Sequence, residues 1–333
     1  MNTTSWLARL ACALSALACV FFSALPSHAA DKVVLGLDWQ ALGRHAGFFV
    51  AKANGFYDRE GLDVDIQRGY GAADSVKRLA GGESTFAFGD YGSLILARAE
   101  GIKVKAIAMI YARGPYVLWT RQDAKIASPK DLAGKSIGSP AGASVRLLFP
   151  AFANTAGFDA NSVKWVTVDA AGLYPLLFSG QAHAVVDYEL GWPTISKRAN
   201  EAGIPIAPMR FADYGFDIYS NAILATDDTL KNKPDITRRF VKASLAGMRA
   251  AFENPTAAGE IMKKAFPMLD AGSAAHEVEI VRSLAESADA KQHGLGYISP
   301  VKARLTKDVI VKSYGVKGEV ALEETFTNEF RLK

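Results

Sequence analysis

From residue 33 onward, short β-branched and aromatic runs alternate with stretches of helical periodicity, the pattern of an α/β fold. Residues 33–39, 62–67, 85–88 and 104–111 read as strands. Between them, 46–54, 73–80 and 93–100 place apolar side chains on one helical face, with Gly55 and Gly81-Gly82 as stops. After Gly114-Pro115 the alternation restarts with strands at 116–120, 136–138, 163–168 and 184–188. A short helix follows Ser128-Pro129-Lys130-Asp131, where a serine cap, a proline and a first-turn acid coincide. Longer helices are predicted up to about 156, over 173–179 and over 193–202.

A strand near 206–211 precedes a return crossing at 214–219, and beyond 225 the pattern is largely helical: 234–252, 256–266, 273–287 and 300–314. One lobe interrupted by another and then completed by C-terminal helices implies two chain crossings acting as a hinge. The expected organisation is lobe I over 30–115 and 217–333 and lobe II over 116–216. Such a clamshell closes on a small molecule.

The N-terminal segment alters this picture by adding a compartment. Arg9, an apolar run over 10–25 and Pro26-Ser27-His28-Ala29 form a signal-peptide pattern, with cleavage expected after Ala29 and a periplasmic destination. Both cysteines, Cys12 and Cys19, lie in this leader, which leaves no thiol in the mature chain for a disulfide, a nucleophile or a zinc cluster. One of the 38 basic residues is Arg9, so 37 face 34 acidic ones after cleavage, a charge of about +3 without long runs of one sign. That balance argues against nucleic acid as a partner. No Gly-x-Ser-x-Gly elbow, metal-ligand spacing or cofactor signature occurs, so an enzyme is not expected.

Leu37-Asp38-Trp39-Gln40, His45 six residues after Trp39, the run from Gly55-Phe56-Tyr57 to Glu60-Gly61-Leu62-Asp63 and Phe326-Thr327-Asn328-Glu329-Phe330 together resemble the substrate-binding proteins of ABC importers in the nitrate/sulfonate/taurine group. The branch related to thiamine-pyrimidine synthases and to binders of thiamine pyrimidine precursors is the nearest. The resemblance implies a type II periplasmic-binding fold whose ligand passes to a membrane permease with its cytoplasmic ATPase. Family synthases consume their own histidine and carry a cysteine-rich segment, which this mature chain lacks.

The candidate site follows from the residues and the resemblance together. Trp39 either stacks on a planar ring or seals the sheet. Asp38, where the family often carries Asn, either accepts from an exocyclic amine or caps a helix, and His45 either donates to a ligand oxygen or is structural. Glu189 matches a family glutamate that reaches the cleft from lobe II and otherwise reads as an exposed strand-end acid; Tyr188 and Trp192 flank it, with Trp192 either adding aromatic surface or anchoring a helix. The loop 138–144, with Gly142 and Ser144, meets a helix N-terminus. Asp90, Tyr91, Tyr116 and Asp217 are further candidates near strand ends and crossings. Acids and aromatics at these positions favour a neutral or weakly basic heterocycle of the hydroxymethylpyrimidine or formylaminopyrimidine type. Riboflavin-like rings, and a sulfonate, taurine or nitrate, are the alternatives, and a sensor role uses the same clamshell.

Overall fold

The computed structural model describes residues 29–331, so all but Ala29 of the expected leader lies outside the described residues. Two five-stranded sheets organise the chain. In the first, the order is β2 (Leu62–Gln67), β1 (Asp31–Gly36), β3 (Phe86–Asp90), β10 (Asn221–Thr226), β4 (Val104–Met109). In the second, it is β7 (Lys164–Thr167), β6 (Ser136–Ser139), β8 (Ala184–Tyr188), β5 (Tyr116–Arg121), β9 (Ile206–Arg210). Each sheet is parallel apart from one inserted strand, β10 in the first and β5 in the second. Those two strands follow the connections at 110–115 and 211–220.

β10 departs from the sequence expectation, which placed no strand at 221–226. Five of its six residues are buried, so neither a period of two nor a helical stripe marks it. A strand at the centre of a sheet has no solvent face to alternate toward.

The principal helices are α1 (Ala46–Ala53), α2 (Tyr91–Ala99), α3 (Ser144–Ala156), α4 (Leu173–Phe178), α5 (Trp192–Ala202), α6 (Pro234–Glu253), α7 (Pro255–Ala265), α8 (Ala271–Ala285) and α9 (Pro300–Tyr314). Gly247 of α6 lies against Gly47 and Ala51 of α1 so closely that a Cβ would overlap the Gly47 carbonyl. One apolar core runs through both sheets and the crossings, where Phe152 and Phe211 stack at 3.7 Å. A smaller cluster under Trp119 and Val185 backs the second sheet. The parallel strands of both sheets carry their C-terminal ends toward the same region, as ligand-binding α/β sheets do.

Candidate functional site

The chain leaving β1 is clamped to the chain leaving β2: Leu37 N–H donates to Gln67 O at 2.8 Å, Gly69 N–H to Trp39 O at 3.0 Å and Gly71 N–H to Asp38 O at 2.8 Å. This clamp fixes Asp38 and the half-buried Trp39 at the rim of a cavity of about 750 Å³, within the range of small-molecule sites. Lobe II supplies the facing wall from Pro140, Ser144, Tyr174, Asp187 and Tyr188.

Asp38 Oδ1 receives His45 Nε2 at 2.8 Å and Oδ2 receives Asn221 Nδ2 at 2.9 Å. His45 Nδ1 accepts from Leu42 N–H at 3.1 Å, which leaves Nε2 to carry the imidazole proton. Burial, with Arg44 alongside, holds His45 below its ordinary value, and the ring stays neutral at pH 7. Burial would raise the Asp38 carboxyl, but His45, Arg44 and Asn221 outweigh it and keep it low. Asn221 Oδ1 in turn accepts from the Tyr188 hydroxyl of lobe II at 3.1 Å. The chain His45, Asp38, Asn221, Tyr188 therefore ties the two lobes beside the cavity.

A second tie runs from the Tyr116 hydroxyl, which donates to Asp90 Oδ2. Asp90 also caps α2, accepting from Ser93 N–H at 2.9 Å, and burial raises its carboxyl above the ordinary range. Tyr91 bonds Thr325 Oγ1 at 2.6 Å, within lobe I.

Of the residues singled out in the sequence, Asp38, Trp39, Ser144 and Tyr188 line the cavity. The others stand elsewhere. His45 is fully buried behind Asp38, and Asp90, Tyr91 and Tyr116 are buried in the structural network. Gly142 abuts Gly71 across the lobes and does not line the cavity. Asp217 pairs with Lys302 at 3.1 Å. Trp192 packs on Trp119 at 5.4 Å and is 38% exposed. Glu189 does not line the cavity: it pairs with Arg113 at 3.3 Å and Arg210 at 3.1 Å.

Two carboxylates of lobe II do line the cavity, Glu201 of α5 and Asp187 of β8, two residues before Glu189. The Asp187 carboxylate is held by the protein. It accepts Tyr174 OH at 2.6 Å, Trp119 Nε1 at 2.9 Å and Tyr188 N–H at 2.8 Å, and burial pushes it up despite these donors.

Arg44 and Glu277 were not legible in the sequence. Arg44, 8% exposed, lies on a turn between Trp39 and α1 and lines the cavity. Burial opposes its charge, but Asp38, Glu277 and Asp187 outweigh that and keep it protonated. Glu277 of α8 accepts the Arg44 backbone N–H at 2.9 Å, and burial pushes its carboxyl up to about 7. Lys197 and Arg198 of α5 also line the cavity. The wall thus combines aromatic surface, carboxylates and cations. Among the described residues no group of side chains is arranged to hold a metal.

Against this geometry, known proteins compare as follows. A riboflavin-binding protein of Chloroflexus aurantiacus is 25% identical over 310 residues, 90% of this chain and 86% of that protein. A formylaminopyrimidine-binding protein of Halalkalibacterium halodurans is 26% identical over 249 residues, 73% of each. The solved alkanesulfonate-binding protein of Xanthomonas axonopodis pv. citri, bound to MOPS, superposes with a TM-score of 0.69 at 11% identity, covering 92% of this chain and 100% of that one. The last likeness is one of fold, the two-lobed periplasmic-binding architecture. The model of the family described as NMT1/THI5 like matches residues 43–258, and the chain belongs to that family.

Proposed function

We propose that this protein is an extracytoplasmic solute-binding protein that captures a planar nitrogen heterocycle of the thiamine-pyrimidine-precursor type and delivers it to the membrane permease of an ABC importer. The observation that carries the reading is the cavity between the lobes, where the Trp39 indole stands beside donors and acceptors supplied by both halves. An indole wall suits a flat ring, and mixed donors and acceptors suit a ring that is polar at its edge without being a strong anion. A site built for nitrate or a sulfonate concentrates cations or N–H donors on the anion. Here the carboxylates Asp38, Asp187 and Glu277 stand around Arg44, an arrangement costly for a sulfonate.

The relative that binds formylaminopyrimidine supports this class of solute. Riboflavin is a second reading, favoured by the cavity's volume, ample for a tricyclic ring, and by the long alignment with a riboflavin-binding protein. Catalysis of the synthase kind finds no support in His45, which is sealed between Asp38 and Leu42.

Calorimetric titration of refolded, ligand-free protein with formylaminopyrimidine, riboflavin, taurine and nitrate tests the reading. One-to-one binding of a heterocycle at micromolar strength or better is expected. Binding of taurine or nitrate alone rejects it.

A further inference from the structure

The polar groups around the cavity differ in how much hydrogen-bonding capacity the protein itself consumes. Both Asp38 oxygens are taken by His45 and Asn221. Both Asp187 oxygens are taken, by Tyr174, Trp119 and Tyr188 N–H. Arg44 and Glu277 are different. Arg44 Nε is buried without a partner, and the guanidinium makes no hydrogen bond or ion pair with a described residue; what it does meet is the face of the Tyr188 ring, 5.3 Å from Cζ. Glu277 spends Oε2 on the Arg44 backbone N–H, and Oε1 makes no hydrogen bond with a described residue. A buried donor left unmatched, as Arg44 Nε is, is costly, and native proteins rarely keep one without use.

The two groups are also held rigidly relative to one another. Gly43, just before Arg44, lies so near Ala274 on α8 that a Cβ there would overlap the Ala274 carbonyl. The turn bearing Arg44 and the helix bearing Glu277 are thus locked within lobe I, before any contact with lobe II.

Resting on the solute-binding reading above, we propose that Arg44 and Glu277 form a preformed pair that reads an amide-type edge on the ligand, the guanidinium donating to a carbonyl oxygen and Glu277 Oε1 accepting from the adjoining N–H. A guanidinium offers only donors, and Glu277 in its ionised form, the main one above about pH 7, offers only acceptors, so that form asks the ligand for an acceptor beside a donor. A ring nitrogen with one lone pair leaves most of the guanidinium unsatisfied, whereas a carbonyl oxygen has two and forms a charge-assisted bond. A flavin imide carries this unit on one fixed edge and a formamide carries it in its cis rotamer, and the experiment separates the two sources.

The test compares matched ligands by calorimetry. Formylaminopyrimidine is set against its deformylated amine, and riboflavin against its N3-methyl derivative, on the wild-type protein and on Arg44→Met and Glu277→Leu, with circular dichroism and melting to establish that each variant is folded. For whichever parent compound binds, loss of the carbonyl or of the N–H lowers wild-type affinity at least tenfold. The carbonyl-dependent difference falls below twofold in Arg44→Met, and the N–H-dependent difference below twofold in Glu277→Leu. Equal affinity of parent and analogue on the wild-type protein, which requires no variant, overturns the pair while leaving the solute reading intact. Binding of taurine with neither heterocycle overturns both.

Discussion

Asp38 accepts from His45 at 2.8 Å through one carboxylate oxygen and from Asn221 at 2.9 Å through the other. Two residues far apart in the chain thereby lock one side chain at the cavity rim, and Asn221 continues the connection to Tyr188 in lobe II. The histidine acts on the site through Asp38.

Removing that carboxylate exposes the cost of the lock. Asp38→Ala leaves the His45 and Asn221 donors buried without acceptors, and a loss of about 2 to 4 kcal/mol in unfolding free energy is expected from two such groups. Chemical denaturation measures it. A change below about 0.5 kcal/mol would mean that the network is dispensable.

Trp39 is half-buried and lines the cavity. Trp39→Ala should weaken a heterocyclic ligand by roughly 1 to 3 kcal/mol, the scale of stacking between an aromatic side chain and a base. Calorimetry with formylaminopyrimidine reads this, and unchanged affinity would return the indole to a purely structural role.

Glu189 makes the opposite prediction. Its partners are the half-exposed arginines 113 and 210, pairs of a kind worth about 0 to 1 kcal/mol each. Ligand affinity of Glu189→Gln should stay within about twofold of wild type, since a tenfold change corresponds to about 1.4 kcal/mol. A tenfold loss would place the side chain at the ligand after all.

Glu277 gives the ligand-free protein a pH signature. Burial raises its carboxyl from 4.5 to about 7, with Arg44 opposing the rise and Asp187 adding to it. The folded state therefore binds more protons than the unfolded state between these values. The resulting stabilisation is full below 4.5 and is lost as pH climbs through 7. Relative to Glu277→Gln, wild-type stability should fall by up to about 3 kcal/mol between about pH 4.5 and 8, because each tenfold difference in proton affinity between the folded and unfolded states is worth about 1.4 kcal/mol. Denaturation curves for both proteins across that range decide it, and parallel profiles would remove the raised carboxyl.

Much of this architecture was legible in the chain, for identifiable reasons. Leu62–Gln67 alternates strictly, and Pro300–Tyr314 opens on proline and closes on Gly315 in the left-handed region; both were delimited from sequence alone. The cavity was less legible. An arginine between Gly43 and His45 is by default a solvated residue, and only the packing of its turn onto α8 buries Arg44. Glu277 stands among His276 and Glu279 on a helix whose polar residues read as one exposed face. On β8, the choice between Asp187 and Glu189 depends on where the strand ends and the following turn begins, a boundary that periodicity does not resolve.

Gly71 supplies a test of lobe contact. Its φ of +133° is unfavourable for a side chain, and a Cβ there would overlap the Gly142 carbonyl across the cleft. Gly71→Val should hold the lobes apart and reduce ligand affinity by an order of magnitude or more, with small-angle scattering reporting a larger radius of gyration in saturating ligand. An unaltered scattering curve and affinity would show that the two loops need not meet.

The most direct measurement is a crystal structure of the protein grown with formylaminopyrimidine. The account predicts density for a ring lying against the Trp39 indole, with a carbonyl oxygen within hydrogen-bond reach of the Arg44 guanidinium. A ring bound outside this cavity, or an anion held by Lys197 and Arg198 with Trp39 untouched, would contradict it.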